Sequence, residues 1–300
     1  MCKIITPIVT IFDKSGALDI EGNKKVIDFV IEGGVDGILV LGSTGEFTNM
    51  TMDEKKALCS LYADYNNGRV ELYAGTGCLK VTDTIELTNY IHELDFKGAM
   101  IIGPYYYGLD QDKMFRYYDK VAKSVRGNIY LYNYPDRSGL TFEPDTVKRI
   151  VEANANVIGM KESVANPGHY NDILIKLGDR KFEMYAGFDD QILYNLGAGG
   201  KGVTGALSNI VPEIWTSLVK SYLNKEFDRT FKLANIIHGM MPIYALDSNS
   251  SLVIKKLMNH RGLNINEESI FPFEEVSEEK MEYGKKLVDE ALRKYKKLTL

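Results

Sequence analysis

Short apolar runs alternate with longer stretches of helical period along the first two-thirds of the chain. The short runs start at Ile4-Ile5 and recur at Gly37–Leu41, Glu71–Ala74, Ala99–Ile102, Ile129–Asn133, Val157–Lys161, Phe182–Ala186 and Gly202–Thr204. Each reads as a strand, and they return about every 28 residues, the length of a strand plus its crossover helix. Between them, apolar residues fall at helical spacing: Val26, Ile27, Val30 and Ile31; Leu58, Leu61, Tyr62 and Tyr65; Leu87, Tyr90, Ile91 and Leu94; Met114, Tyr117, Tyr118, Val121, Ala122 and Val125. Each set makes one apolar stripe. Thr51 and Glu54 have the spacing of a capping box, and Pro144 suits the first turn of a helix. Unbroken strand–helix alternation implies parallel strands with helices outside the sheet. Eight such units predict an α/β fold, a (β/α)8 TIM barrel over residues 1–224. An open doubly wound sheet shares the alternation and is the rival architecture.

From Pro212 the pattern becomes purely helical, with Ile214, Trp215, Leu218, Val219 and Tyr222 on one stripe and further helices expected at 226–244, 249–261 and 278–296. Residues 225–300 are read as helices packed on the barrel within the same domain, since no Pro-, Gly- or Ser-rich linker precedes them.

Composition narrows the function classes. At 300 residues, 45% hydrophobic, 26% charged and net −5, the chain is an ordinary globular one. Its longest apolar runs are far short of the roughly 18 residues needed to span a bilayer, and the first residues meet Pro7 and Asp13 too early for a signal-peptide core. A cytoplasmic protein without membrane association is expected. Cys2, Cys59 and Cys78 are odd in number and widely spaced, so reduced thiols are expected. His92, His169, His238 and His260 stand apart without carboxylates at ligand spacing, so no metal site is expected. Basic residues are dispersed, unlike the clustered footprint of nucleic-acid binders.

The candidate chemistry gathers at the C-terminal ends of the strands, where barrel enzymes place their active sites. The clusters are Gly42-Ser43-Thr44-Gly45-Glu46, Gly75-Thr76-Gly77, Pro104-Tyr105-Tyr106, Tyr132-Asn133-Tyr134-Pro135, Lys161-Glu162-Ser163, Gly187-Phe188-Asp189-Asp190 and Gly205-Ala206-Leu207-Ser208-Asn209. Lys161 ends an apolar strand; desolvation there lowers an amine's pKa and yields a neutral nucleophile able to form a Schiff base with a ketone. The alternative is a lysine that snorkels to solvent or pairs with Glu162. Tyr132 ends the preceding strand, in reach to carry protons; otherwise it is a rim or core tyrosine. Ser43, Thr44 and Gly45 offer hydroxyls and N–H groups for a carboxylate, or form a simple strand-to-helix turn. Arg137 can fork onto a substrate carboxylate, or pair with Asp136. Gly197-Ala198-Gly199-Gly200-Lys201-Gly202 spells a dinucleotide fingerprint but follows a helical pattern, so it reads as a tight helix-to-strand turn, with a phosphate-binding rim as the lesser alternative.

Together these clusters resemble the dihydrodipicolinate synthase and N-acetylneuraminate lyase family. The likeness runs in order through Thr6-Pro7, Gly42-Ser43-Thr44-Gly45-Glu46, Gly75-Thr76-Gly77, Pro104-Tyr105-Tyr106, Tyr132-Asn133-x-Pro135, Gly159-x-Lys161-Glu162 and Gly187-Phe188-Asp189-Asp190. The resemblance implies an imine between Lys161 and pyruvate or another 2-oxo acid, without metal or cofactor. It implies Tyr132 as proton carrier, linked through Ser43 to an aromatic residue, Tyr106, which many members supply from a neighbouring subunit. Thr44 and Gly45 would bind the 2-oxo acid carboxylate, with Arg137, Gly187, Asp189 and Val203 also on the substrate. A homodimer or homotetramer is implied. Arg137 resembles the arginine that synthases use for aspartate semialdehyde. The Tyr105-Tyr106-Tyr107-Gly108 run, Ser43 and Phe188 depart from that subgroup towards sialic-acid lyases and 2-keto-3-deoxy sugar acid aldolases. A barrel that binds 2-oxo acids without turnover is the non-enzymatic alternative, and an enzyme of phosphorylated substrates is a third reading.

Overall fold

Strands and helices alternate along the chain as the hydrophobic pattern predicts. A computed structural model describes residues 2–270 and 276–299. The order is β1 (Lys3–Pro7), α1 (Ile20–Glu32), β2 (Gly37–Val40), α2 (Met52–Asn66), β3 (Glu71–Gly75), α3 (Val81–Glu93), β4 (Gly98–Ile102), α4 (Gln111–Ser124), β5 (Ile129–Asn133), α5 (Pro135–Ser138), α6 (Pro144–Ala153), β6 (Val157–Glu162), α7 (Gly168–Leu177), β7 (Glu183–Ala186), α8 (Ile192–Gly197), β8 (Gly202–Val203), α9 (Pro212–Leu223), α10 (Phe227–His238), α11 (Ser250–His260) and α12 (Glu278–Thr299). The eight strands close into a barrel in chain order, which settles the choice against an open sheet. The chain divides into two compact units, one of Met1–Val70 with Gly205–Leu300 and one of Glu71–Thr204.

In the first unit β1 runs parallel to β2, with Ile5 opposite Gly37 and Pro7 opposite Leu39. The Asp19 side chain caps α1 by accepting from the Gly22 N–H, and Thr51 and Glu54 form the expected capping box on α2. Val26, Ile27, Val30, Leu58 and Tyr62 are buried, as their periodicity requires. The segment after β8 is tied to β1 by side chains: Asn209 Nδ2 donates to the Pro7 carbonyl, its Oδ1 accepts from the Val9 N–H, and Ser208 Oγ donates to Thr6 Oγ1. Helix α9 buries Ile214, Trp215, Leu218 and Val219. The helix expected over 226–244 stops at His238; Gly239 caps it, and Pro242, which has no N–H to donate, falls in a separate 3-10 turn at Met241–Ala245. A fully buried ion pair lies in this unit. Lys255 Nζ meets Glu46 Oε1 at 2.6 Å and the Glu268 carbonyl at 2.8 Å, while Ser269 Oγ donates to Glu46 Oε2.

In the second unit β3 to β8 pair in sequence, each parallel to the next. Tyr73, Tyr130 and Tyr185 come from alternate strands β3, β5 and β7, and their rings meet with centroids 5.5 and 6.1 Å apart, as a layer of interior side chains does in a barrel. Their hydroxyls are satisfied by carboxylates: Tyr73 donates to Glu71, and Tyr130 and Tyr185 donate to Glu183. A Cβ at Gly159 would stand 2.5 Å from the Tyr130 ring, so glycine there makes room for this layer. Gly197–Gly202 is the tight turn between α8 and β8, with Gly199 at φ +94°. No helix among the described residues is long and apolar enough to cross a membrane. Cys2, Cys59 and Cys78 are buried thiols.

Candidate active site

Strand register decides which side chains share a face. Tyr132 of β5 lies opposite Lys161 of β6, Lys161 opposite Tyr185 of β7, and Tyr185 opposite Gly202 of β8. Tyr185 belongs to the interior layer, so Tyr132 and Lys161 face the interior with it. Asn133 lies opposite Glu162 and, one residue along, both take the other face.

Lys161 is 4% exposed. Its Nζ sits over the Tyr132 ring, 4.4 Å from the centroid. Burial pushes the amine down to about 8, while Tyr134 and Asp189 pull the other way by favouring the charged form. The combination suits imine chemistry. Desolvation supplies a neutral nucleophile, and the ring face, with the acidic groups beside it, favours the cation that a protonated imine becomes. Neither alternative read from the sequence holds for Lys161. It does not reach solvent, and the Glu162 carboxylate turns away from it, taking a bond from Asn133 Nδ2 at 2.7 Å and standing 3.0 Å from His169 Nδ1.

The ladder continues one residue beyond the strands. The Ser163 N–H donates to the Asn133 carbonyl, the Gly187 N–H to Glu162, and the Thr204 N–H to Ala186. Two residues past Tyr132, Lys161, Tyr185 and Gly202, the same face therefore carries Tyr134, Ser163, Gly187 and Thr204. Tyr134 stacks on Tyr132 at 5.9 Å and meets Phe188 edge-on at 6.1 Å. A Cβ at Gly187 would fall 1.9 Å from Ser163 Oγ, so only glycine fits. Thr204 Oγ1 is buried with no hydrogen-bond partner among the described residues. A buried hydroxyl left unmatched carries a desolvation cost and is an acceptor or donor held ready.

Of the residues singled out by sequence, this unit brings together Lys161, Tyr132, Gly187 and Asp189, the last buried on the turn after β7. Val203 ends β8 and is fully buried. Arg137 is exposed on α5, its guanidinium 6.0 Å from the Tyr134 ring centre; no ion pair with Asp136 forms. Tyr106 is 77% exposed and packs edge-on against Tyr107. Sequence reasoning assigned nothing to Tyr134 or Thr204. Their signal was present in the two-residue period beyond Tyr132 and Gly202, but it needs the register to be read.

Ser43, Thr44 and Gly45 lie in the first unit, on a 3-10 turn directly after β2. Thr10 Oγ1 donates to the Gly45 carbonyl at 2.9 Å. Leu41 and Glu46 bracket this turn at φ 57° and 59°, a region side-chain-bearing residues rarely adopt. Such strain persists where surrounding contacts enforce it, and the Lys255–Glu46 pair is such a contact.

Comparison with known proteins agrees in one direction. Residues 1–291 match the model of the dihydrodipicolinate synthetase family. The chain is 33% identical to the 4-hydroxy-tetrahydrodipicolinate synthase of Methanococcus vannielii, over 88% of this chain and 89% of that one. It is 31% identical to the putative 2-dehydro-3-deoxy-D-gluconate aldolase YagE of Escherichia coli K12, over 84% of each. The crystal structure of YagE in complex with pyruvate superposes with a TM-score of 0.94 at 28% identity, covering 97% of this chain and 99% of that chain.

Proposed function

The chain belongs to the dihydrodipicolinate synthetase family, and from that premise we propose that it is a class I lyase acting through an imine between Lys161 and pyruvate or a related 2-oxo acid. The observation that carries the reading is the Lys161 amine, buried over the Tyr132 ring and drawn down to about 8. The neutral amine adds to the keto carbon; loss of water leaves an iminium, which accepts the electron pair of the neighbouring C–C bond as that bond breaks to an enamine and an aldehyde. Tyr132 is proposed to take the proton from the hydroxyl that becomes the aldehyde oxygen and to return one to the enamine carbon. The chemistry needs no metal or other cofactor, the imine itself being the electron sink. Thr44 and the N–H groups of the Ser43–Gly45 turn are proposed for the 2-oxo acid carboxylate, with Ser43 and a Tyr106 from a second copy of the chain completing the proton path.

Aldol cleavage of a 2-keto-3-deoxy sugar acid is the favoured reaction, because Thr204 offers a buried, unmatched hydroxyl and Ser163 and Asp189 stand near the same strand ends. Condensation of pyruvate with aspartate semialdehyde is the second reading, supported by Arg137 beside Tyr134. The exposed Tyr106–Tyr107 pair supports a homodimer or homotetramer, and a cytoplasmic setting with reduced thiols completes the reading. Borohydride reduction in the presence of pyruvate tests the chemistry: a stable mass increase on Lys161 is expected, and an unmodified protein refutes it. A panel of 2-keto-3-deoxy acids and sialic acid, assayed for pyruvate release beside aspartate semialdehyde condensation, separates the two substrates.

A further inference from the structure

The proposed imine chemistry makes no use of Glu162, yet its carboxylate is fully buried one residue from Lys161. Its surroundings are complete. Oε1 accepts from Asn133 Nδ2 at 2.7 Å, and Oε2 lies 3.0 Å from His169 Nδ1. Its backbone carbonyl accepts from the Gly187 N–H at 2.6 Å and from the Tyr170 hydroxyl at 3.2 Å. Tyr170 is fixed in turn, its one hydroxyl proton shared between that carbonyl and the nearer Gln191 Oε1 at 2.7 Å, and Gln191 Nε2 donates to the Val164 carbonyl. Glu162 chiefly raises the His169 pKa, with the Phe142 carbonyl and Asp172 adding to the effect and burial opposing it.

This arrangement is expensive if stability is its purpose. A buried carboxylate–imidazole pair is often no more stable than well-packed apolar residues of the same volume. What it provides is direction. Asn133 and Glu162 are the last residues of β5 and β6, where a ladder frays most readily, and Tyr132 and Lys161 precede them on the opposite face. Glu162 pins that end from β5, from α7 and from the turn after β7.

We propose that Asn133, Glu162 and His169 form an outward-facing positioning set that fixes the ends of β5 and β6 and thereby aims Lys161 and Tyr132 at the substrate. The inference rests on the imine reading and extends it to residues that never touch substrate. The geometry of the two carboxylate bonds does the positioning; net charge does not. Glutamine keeps that geometry, its carbonyl accepting from Asn133 and its amide donating to a neutral His169, whereas leucine fills the space and makes neither bond. A displacement of about 1 Å in a reacting group lowers rates by up to roughly 10²-fold.

The test measures the rate of borohydride trapping of pyruvate on Lys161 at saturating pyruvate, with circular dichroism confirming the fold. Glu162→Leu is expected to trap at least about tenfold more slowly than the native protein, and Glu162→Gln within about threefold of it. If Glu162→Leu does not fold, Asn133→Ala replaces it, removing one carboxylate bond and the acceptor of the Phe142 N–H while leaving the His169 pair, with a fall of about threefold or more expected. A folded Glu162→Leu or Asn133→Ala protein trapping at the native rate overturns the proposal, as does Glu162→Gln falling as far as leucine. These failures leave the imine reading intact. An untrapped native Lys161 overturns the imine reading itself.

Discussion

Replacing Lys161 with methionine should abolish imine formation and make the protein more stable. The amine is 4% exposed and its pKa falls from 10.5 to about 8, with desolvation the leading cause. A lysine whose folded pKa lies below its unfolded one opposes folding wherever the unfolded chain is protonated. The penalty is complete below the folded value, shrinks as pH rises from there, and vanishes above the unfolded one. The gap between 10.5 and about 8, at about 1.4 kcal/mol per tenfold, corresponds to about 3 kcal/mol at pH 7 and about 1 kcal/mol at pH 9.5. Methionine keeps the length and apolar stem of the side chain while removing the ammonium. Lys161→Met is therefore expected to gain about 3 kcal/mol in urea unfolding at pH 7. Most of that gain should disappear by pH 10. A variant no more stable than the native protein at pH 7, or a gain that ignores pH, refutes the account of a desolvated amine.

The same amine sets a pH limb. At limiting pyruvate, the initial rate of imine trapping should rise about tenfold between pH 6 and 7 and level off above about pH 9; a rate still climbing tenfold from pH 9 to 10 indicates an amine of ordinary basicity. Gly187→Ala places a Cβ 1.9 Å from Ser163 Oγ, a clash expected to cost about 2 kcal/mol in unfolding. Adding Ser163→Gly should recover part of that loss, and no recovery means the two residues do not conflict. Thr204→Val should lower kcat/KM for a 2-keto-3-deoxy sugar acid by about tenfold while leaving pyruvate trapping on Lys161 within about twofold. Equal losses in both assays place Thr204 outside the second-substrate site.

The barrel was legible because its strands are buried on both faces and its helices on one, so sequence periodicity reports both directly. Strand positions from Gly37 to Val203 fall within a residue or two of expectation. The expected helix over 226–244 failed at Gly239 and Pro242, where local backbone chemistry outweighs an apolar stripe. Lys161 and Tyr132 were legible because both end apolar runs. The Glu162–His169 contact was hidden because a strand residue and a helix residue seven positions apart meet only through the turn between them. Tyr134 and Thr204 were hidden for another reason: their side chains belong to the site only once register places them above Tyr132 and Gly202. Tyr106, prominent in sequence, stands exposed in the single chain.

The first unit joins segments far apart along the polypeptide, and this orders events on the ribosome. Thr6 and Pro7 bond to Ser208 and Asn209, and Glu46 to Lys255, across separations of 202 and 209 residues. At the usual pace of synthesis, about 5–20 residues per second, β1 and β2 emerge roughly 10–40 s before these partners exist. Through that interval the nascent amino-terminal segment presents an apolar strand pair and a carboxylate whose counter-charge has not been made. Residues 71–204 meet no such delay, since each of their strands pairs with the next. A chain interrupted before residue 255 is therefore left with an unfinished beginning, and its early segment becomes the natural place for a holding chaperone or a quality-control protease to act.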